Sequence, residues 1–496
     1  MSVQERTAKS ALWSLIENAG LALISMGTLV IYTHLLSTSE FGLFAVVLAL
    51  VELLQIFVTM FFHDALVQRE DAKDLHFDTA FTFGVVLSLV LVALCLLLAP
   101  TFASLVSEPR AADVLRAMSL CFPAAAVSAT IVARQRRELS FRPLALRSLV
   151  GRFAGAGIGV VLIVAGAGVW GLIAQQVLIQ AVGSAILWKT SESRPRLRFG
   201  VREFKELGTF GVYSMGSLFL VFGVKRIFAV VTGIFLGVEI AGYLNLSFRT
   251  IDVFWSIAAT AATQVALPTL ASLQQDMPRL RRAFQFATSF VCVVLYACFI
   301  GIGVLSPEIV GLMFGDKWLP AAPYITVLSL LVLVQGPRVL VAPLLTALGR
   351  PKDLLLSKAA ELAFVVLALG VTRVPSLSWA VGIWVCRELL ALPITLRLLK
   401  RASGLGALEQ VRGAWVPLAA SLVMVAAVLL GRYLLPDGAS VVVRLVLLVP
   451  LGAAAFLGVT FVLDRELMKS LLAFAQSALA RTKRPAAQPG LAAGAP

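Results

Sequence analysis

Apolar stretches of about twenty residues recur along this chain from one end to the other, and they restrict what it can fold into. Of its 496 residues, 59% are hydrophobic and 14% are charged, whereas a soluble domain has about 25% charged residues. Lipid offers backbone N–H and C=O groups no partner outside their own helix, so such stretches cross a membrane as helices. The sequence therefore predicts an all-α integral membrane protein.

The spacing of the apolar stretches predicts about fourteen transmembrane helices. They cover residues 11–34, 41–62, 79–104, 112–133, 148–168, 170–189, 208–236, 239–262, 284–305, 321–347, 355–371, 377–397, 413–434 and 442–463. We number these predicted helices 1 to 14 in chain order.

Lysine and arginine are concentrated in alternate loops, which the positive-inside rule places in the cytoplasm. Two such loops are especially basic: one contains Arg134, Arg136, Arg137, Arg142 and Arg147, and the other Lys189, Arg194, Arg196, Arg198, Arg202 and Lys205. This topology accounts for the formal net charge of +15, so no nucleic-acid partner is expected. We predict a multi-pass protein of the bacterial inner membrane with both termini in the cytoplasm.

An internal repeat at an offset of about 200 residues divides the chain. Residues 35–43 resemble 235–243, and Trp170 and Trp379 open corresponding helices. Six helices per copy insert the same way up, which predicts two lobes related by a pseudo-twofold axis along the membrane normal. The predicted segments are an N-lobe at 1–206 (helices 1–6), a C-lobe at 207–410 (helices 7–12), helices 13 and 14 at 411–463, and a partly disordered cytoplasmic tail at 464–496.

Cationic residues at membrane depth are costly and usually mark a pathway or an ion pair. Lys225 and Arg226 in helix 7 have no acidic residue within four positions. The predicted substrate-binding residues are Lys225, Arg226, Arg249, Arg338 and Arg387. Lys225 is expected to face a cavity between the lobes with Arg249 as its neighbour. The alternative is local neutralisation, for instance of Arg249 by Asp252 one turn later. Arg152 is interpreted as a snorkelling side chain.

Three carboxylates lie on polar faces of the helices expected to line the cavity, namely helices 1, 2, 7 and 8. Glu17, Glu52 and Asp252 are predicted to bind a coupling ion, H⁺ or Na⁺, and the repeat makes Glu52 and Asp252 equivalent. The alternative is that they only balance the cavity cations. No other cofactor, no metal and no catalytic residues are expected, because the sequence has no phosphate-binding loop motif and its three histidines are scattered. We therefore predict a transporter and not an enzyme.

Several short motifs resemble those of a known family. They are the runs 37–42 and 242–243, the turn from Gly311 to Trp318, and residues 347–351. Over residues 5–465 the chain resembles the polysaccharide (Wzx-type) flippases of the multidrug/oligosaccharidyl-lipid/polysaccharide superfamily, which is MATE-like, and its exopolysaccharide branch in particular. The resemblance implies a flippase that moves a polyprenyl-diphosphate-linked oligosaccharide, by alternating access, for exopolysaccharide, capsule or O-antigen assembly. Membrane lipid and polysaccharide polymerase or export proteins are the other expected partners.

Three alternative functions remain open at this point. A lipid II flippase shares the architecture and a cationic cavity. A multidrug or cation antiporter of the same fold requires an acidic or apolar cavity, which the basic residues disfavour. A membrane glycan polymerase or ligase is expected to carry large outside loops, whereas the predicted outside loops are short.

Overall fold

The structure, a computed structural model, is all-helical in the residues that it describes, which are 3–69, 71–272, 276–348, 350–436 and 438–469. Residues 470–496 of the predicted tail lie outside the described residues. The α-helices are α1 (Val3–Leu35), α2 (Thr38–Met60), α3 (His63–Gln68), α4 (Asp74–Val106), α5 (Arg110–Met118), α6 (Cys121–Arg137), α7 (Phe141–Val164), α8 (Val169–Thr190), α9 (Val201–Leu236), α10 (Val238–Ser272), α11 (Met277–Val304), α12 (Ser306–Phe314), α13 (Ala322–Leu330), α14 (Val332–Gln335), α15 (Val341–Ala347), α16 (Pro351–Thr372), α17 (Leu377–Ser403), α18 (Ala407–Val411), α19 (Trp415–Leu434) and α20 (Val441–Leu463). Three 3₁₀ segments span Asp316–Ala321, Gly336–Arg338 and Arg412–Ala414.

Within these ranges, 13 helical segments are long and apolar enough to cross a membrane. They match predicted helices 1–7 and 9–14. Predicted helix 8 falls on α10, which has 35 residues and carries Glu239, Arg249 and Asp252 in its first half. The all-helical membrane fold is confirmed, while the count of fourteen and the symmetry of the lobes stay predictions.

Two predicted helices are interrupted in the structure. Predicted helix 4 is divided into α5 and α6, with Pro123 in the first turn after the break. Predicted helix 10 consists of α13, α14, the 3₁₀ turn Gly336–Arg338 and α15. Proline lacks a backbone N–H and prevents the i→i−4 hydrogen bond, so Pro337 explains why the helix changes to a 3₁₀ turn at this point.

The first halves of α2 and α10 cross at two glycines that the internal repeat pairs. A Cβ atom on Gly42 would overlap the carbonyl oxygen of Val238, and one on Gly242 would lie 2.7 Å from the carbonyl oxygen of Thr38. Small residues let helix backbones approach this closely in membranes. The two repeats therefore meet through backbone atoms, with no space for a side chain.

We expect Gly42→Ala to destabilise the protein more than Gly27→Ala, a matched glycine in α1. Gly27 has no neighbouring atom within 4 Å of a Cβ position, whereas the atoms facing Gly42 belong to the backbone and cannot rotate away. Overpacking of this kind costs about 2–3 kcal/mol. Thermal unfolding of the purified variants measures the difference, and equal melting temperatures would contradict the close crossing.

One end of the bundle is closed by the turn that precedes α13. Lys317 Nζ donates to the carbonyl oxygens of His34 and Leu36, at 3.1 and 2.7 Å, and so caps the carboxyl end of α1. Trp318 is fully buried and its Nε1 donates to the carbonyl oxygen of Thr33 at 2.9 Å. The Trp318 ring lies 5.3 Å from Phe41 and 5.8 Å from Tyr243, between centroids. We call these seven residues the outer closure, because the loop charges predict that this end of the bundle faces the outside.

The hydrophobic core of the described residues consists of several clusters. The largest hydrophobic cluster runs through α1, α2 and α4–α8 and continues across the outer closure into Phe314 and Ile325. A second cluster packs α11 against α19 and α20, so the two helices outside the repeat attach to the second half of the chain.

The segment that joins α8 to α9 is tied to the start of α4. The backbone N–H groups of Arg196 and Gly200 donate to Asp78 and Thr79, at 2.8 and 3.1 Å. Glu206, in the first turns of α9, accepts from Arg69 at 2.7 Å.

We predict that this end is cytoplasmic. A topology reporter inserted within 190–206 should therefore report the cytoplasm, and an outside signal would contradict the predicted orientation.

Candidate functional site

A cavity of about 180 Å³ lies below the outer closure, between α2, α9 and α10. Its charged lining residues are Glu52, Lys225, Arg226, Arg249 and Asp252, and Asn245 adds an amide. The rest of the lining is apolar and includes Phe248, Val46 and Leu244. We call this space the first cavity.

Helix geometry explains why these side chains converge. Asn245, Arg249 and Asp252 are four and three residues apart, which places them on one face of α10. On α9, Gly233 lets the helix approach α2 so closely that a Cβ atom there would overlap Val46. The close packing of α9 and α10 against α2 directs the polar faces of the three helices into one space.

Two ion pairs cross the first cavity from helix to helix. Lys225 Nζ bonds to Asp252 and lies 4.7 Å from the centroid of the Phe248 ring. Arg226 Nε lies 3.2 Å from Glu52 Oε2. Local neutralisation of Arg249 by Asp252, the alternative left open by the sequence, is not the arrangement found. Arg226, which follows Lys225 at an angle of about 100° around the helix, still reaches the same cavity through its pair with α2.

Arg249 differs from these paired cations. In the described parts of the chain its guanidinium has no salt bridge or hydrogen bond, although its charge interacts with those of Glu52 and Asp252. Arg152, on α7, lies close enough to interact with the charges of Arg249 and Glu52. The sequence interpretation of Arg152 as a snorkelling side chain missed this position, which depends on how α7 packs against α1. The charged lining of the first cavity, three cations against two carboxylates, has a formal net charge of +1, and Arg152 adds a further positive charge nearby.

Arg338 and Arg387 lie apart from the first cavity, and their role in binding substrate stays a prediction. Both belong to a cluster between the interrupted helix 10, α16 and α17. Arg338 Nη1 lies 3.0 Å from Glu388 Oε2, and Arg387 bonds to Glu388 and lies 3.3 Å from Glu361. The reason is the pairing of α16 with α17, which brings Glu361 and Glu388 within reach of both arginines.

The three carboxylates predicted to bind a coupling ion do not lie together in the structure. Glu52 and Asp252 line the first cavity, whereas Glu17 is not among its lining residues and interacts instead with the charge of Arg147. Among the described residues, no group of three or more His, Cys, Asp or Glu side chains lies together as the ligands of a metal ion would.

The apolar helices identify a multi-pass membrane protein, and they surround an internal cationic cavity. The sequence profile of a family described as "Polysaccharide biosynthesis protein" matches residues 31–323. The chain belongs to this family of polysaccharide biosynthesis proteins.

Among its relatives is the succinoglycan biosynthesis transport protein ExoT of Rhizobium meliloti (strain 1021), 28% identical over 326 residues. That match covers 65% of this chain and 65% of the relative, just under two thirds of its length. The lipopolysaccharide biosynthesis protein WzxC of Escherichia coli (strain K12) is 25% identical over 359 residues, which are 71% of this chain and 72% of that protein.

Solved structures confirm the MATE-like fold. The lipid II flippase MurJ, in an inward closed conformation, matches with a TM-score of 0.75 at 12% sequence identity, covering 93% of this chain and 100% of MurJ. An inward-facing multidrug resistance transporter of the MATE family matches with a TM-score of 0.56 at 17% identity, covering 77% of this chain and 94% of that one.

Proposed function

We propose that this protein moves a polyprenyl-diphosphate-linked oligosaccharide from the cytoplasmic to the outer leaflet of a bacterial inner membrane, for the assembly of a surface polysaccharide. Membership of a polysaccharide biosynthesis family supports the class of cargo. The single observation that carries the proposal is the net positive first cavity, placed in the middle of membrane-crossing helices.

The charge of the cargo explains why such a cavity is needed. A diphosphate carries about two negative charges, and an ion placed in hydrocarbon without partners costs several kcal/mol even after relaxation. Cations at mid-depth lower this barrier, provided that they bind loosely enough to release the cargo. The surplus of positive charge in the lining favours an anionic group such as the diphosphate. A mainly acidic cavity, as a drug or cation antiporter requires, does not fit this lining.

The two ion pairs provide a means of loose binding. We propose that Arg249, which has no direct partner in the described residues, contacts the phosphate oxygens first. Lys225 and Arg226 then exchange Asp252 and Glu52 for phosphate, which accepts charge-assisted hydrogen bonds of similar strength. When the cargo leaves at the other side, the two protein pairs form again. Lys225 and Arg226 therefore each have an anionic partner in both states.

The same exchange frees two carboxylates for a coupling ion. In this proposal Glu52 and Asp252 take up H⁺ or Na⁺ while the phosphate occupies their cationic partners. Glu17 lies outside the described lining of the first cavity, so Glu52 and Asp252 are the carboxylates that we retain for coupling.

If phosphate and carboxylate compete for the same cations, removing a cavity carboxylate should strengthen the binding of a phosphate ligand. Asp252→Asn should bind inorganic pyrophosphate about fivefold more tightly than the unmodified protein, because a partly exposed ion pair that must first be broken is worth about 1 kcal/mol. Calorimetric titration of the purified protein in lipid nanodiscs measures this, with Asp113→Asn on the exposed surface of α5 as the control. Weaker binding by the Asp252→Asn variant would contradict the exchange.

Deletion of the gene tests the proposed function in the cell. We expect the mutant to lose its surface polysaccharide and to accumulate the lipid-linked oligosaccharide, because the earlier cytoplasmic steps continue. Expression of the intact chain should reverse both effects. A deletion mutant that keeps normal surface polymer, or that lacks the polymer without accumulating the lipid-linked precursor, would contradict the proposal.

A further inference from the structure

A second cavity, of about 220 Å³, lies between α10, the interrupted helix 10, α16 and α17. Arg338, Lys358 and Glu388 line this cavity, and Glu361 and Arg387 form ion pairs with these lining residues. The cluster therefore has three cations and two carboxylates. The cluster is deeply buried, with Glu361 only 2% exposed and Arg387 only 7%. A surplus cation in such surroundings indicates a site for an anion.

The helix interruption is an independent observation at the same place. Gln335 ends α14 and Arg338 ends the 3₁₀ turn that follows it, and both line the second cavity. Backbone that departs from the α-helix at membrane depth is tolerated where it lines a cavity, and interrupted helices commonly form binding sites in transporters. The break therefore coincides with the residues that a ligand would contact.

The hydrogen bonds of Glu388 determine which groups remain for a ligand. Glu388 Oε1 accepts from Gln335 at 2.9 Å and also from Arg387, and its Oε2 accepts from Arg338 at 3.0 Å, so both oxygens of this carboxylate are already engaged. Lys358 bonds to Glu361 at 2.8 Å through a single carboxylate oxygen, and its side chain is 31% exposed. Lys358 is thus the most accessible cation of the cluster.

The remaining lining combines hydroxyl groups with an aromatic ring. Ser357 and Thr395 lie in the lining with Lys358, and Trp255 contributes an indole ring from α10. Hydroxyl, amide and cationic groups bind a polar ligand by directed hydrogen bonds. A ring that presents an apolar face beside them suits a sugar, and the surplus cation suits a sugar that carries a carboxylate.

The two cavities are close to each other along one helix. Asp252 lines the first cavity and Trp255 the second, and three residues of α-helix rise by about 4.5 Å. A single cargo molecule is thus able to place its diphosphate in one cavity and a sugar in the other. We infer that the second cavity binds a carboxylate-bearing sugar of the transported oligosaccharide, with Lys358 as its main cationic contact. This inference rests on the proposed function.

Binding of three probes to the purified protein in nanodiscs tests the inference: D-glucuronate, D-glucose and inorganic phosphate. Glucuronate should bind at least about tenfold more tightly than glucose or phosphate, because only glucuronate offers both a ring and a charge-assisted contact. Lys358→Gln should remove this preference, Lys358→Arg should keep most of it, and Lys400→Gln, at the exposed end of α17, should leave it unchanged.

The inference would be overturned by glucuronate binding that Lys358→Gln leaves unaltered, or by phosphate binding that is as tight as that of glucuronate and equally dependent on Lys358. Pyrophosphate binding to the first cavity is measured on the same samples and also shows whether the Lys358→Gln variant is folded. Lys225-dependent pyrophosphate binding without glucuronate binding contradicts only the sugar site. If the unmodified protein does not bind pyrophosphate, the proposed function itself is contradicted.

Discussion

A Lys225→Glu variant is expected to export no surface polysaccharide while it inserts into the membrane at normal levels. The substitution lowers the formal charge of the first cavity by two, from +1 to −1, and places a second carboxylate beside Asp252. Lys225→Ala should also abolish export. Lys225→Arg should retain part of it, because the charge is kept while the contact with Asp252 and Phe248 changes.

Complementation of a deletion mutant measures this effect, with surface polymer quantified against the amount of protein in the membrane. Lys205→Glu is the matched control, since Lys205 is an exposed lysine near the start of the same helix, α9. Normal export by the Lys225→Glu variant would show that the diphosphate does not pass the first cavity.

Trp318→Ala should open the outer end of the protein. The substitution removes a fully buried indole that contacts Phe41, Tyr243 and the end of α1, a loss of about 3–5 kcal/mol for a large aromatic side chain. Because this contact must break each time the cavity opens outward, its loss should shift the protein toward the outward-open state. Lys317→Gln should act in the same direction with a smaller effect and less risk to folding.

Thiol labelling from outside the cell detects the shift. In a background without the five native cysteines, Asn245→Cys places a thiol in the first cavity. A membrane-impermeant maleimide should label it several times faster when Trp318→Ala is added, whereas Trp415→Ala, at an exposed tryptophan, should have no effect. Unchanged labelling in both the Trp318→Ala and Lys317→Gln backgrounds would contradict a role for the outer closure in access to the cavity.

Much of the fold could be predicted from the sequence because membrane helices are determined locally. Hydrophobicity over about twenty residues is enough to find each span, and the contacts of Gly42 with Gly242 agree with the repeat that paired them. The interruption at Pro337 could also have been predicted from the sequence, because proline restricts helix geometry. The prediction of an unbroken helix over 321–347 gave too little importance to that residue.

The site was less predictable because its partners come from distant helices. The sequence indicated which residues were polar at membrane depth, but Lys225 is 27 positions from Asp252 and Arg226 is 174 positions from Glu52. Arg152 was missed for the same reason. Charge alone does not show which helices pack together, so the sequence did not indicate that Arg338 and Arg387 lie apart from the first cavity, beside α16 and α17.

Reconstitution is the most direct test of the central claim that the first cavity moves a lipid-linked diphosphate across the membrane. The purified protein is placed in vesicles that contain a fluorescent polyprenyl-diphosphate oligosaccharide, and an impermeant quencher is added outside. With the unmodified protein, quenching should proceed beyond the outer-leaflet fraction as labelled lipid arrives from the inner leaflet. With Lys225→Glu it should stop at the outer-leaflet fraction. Quenching by the unmodified protein that equals that of protein-free vesicles would contradict the account.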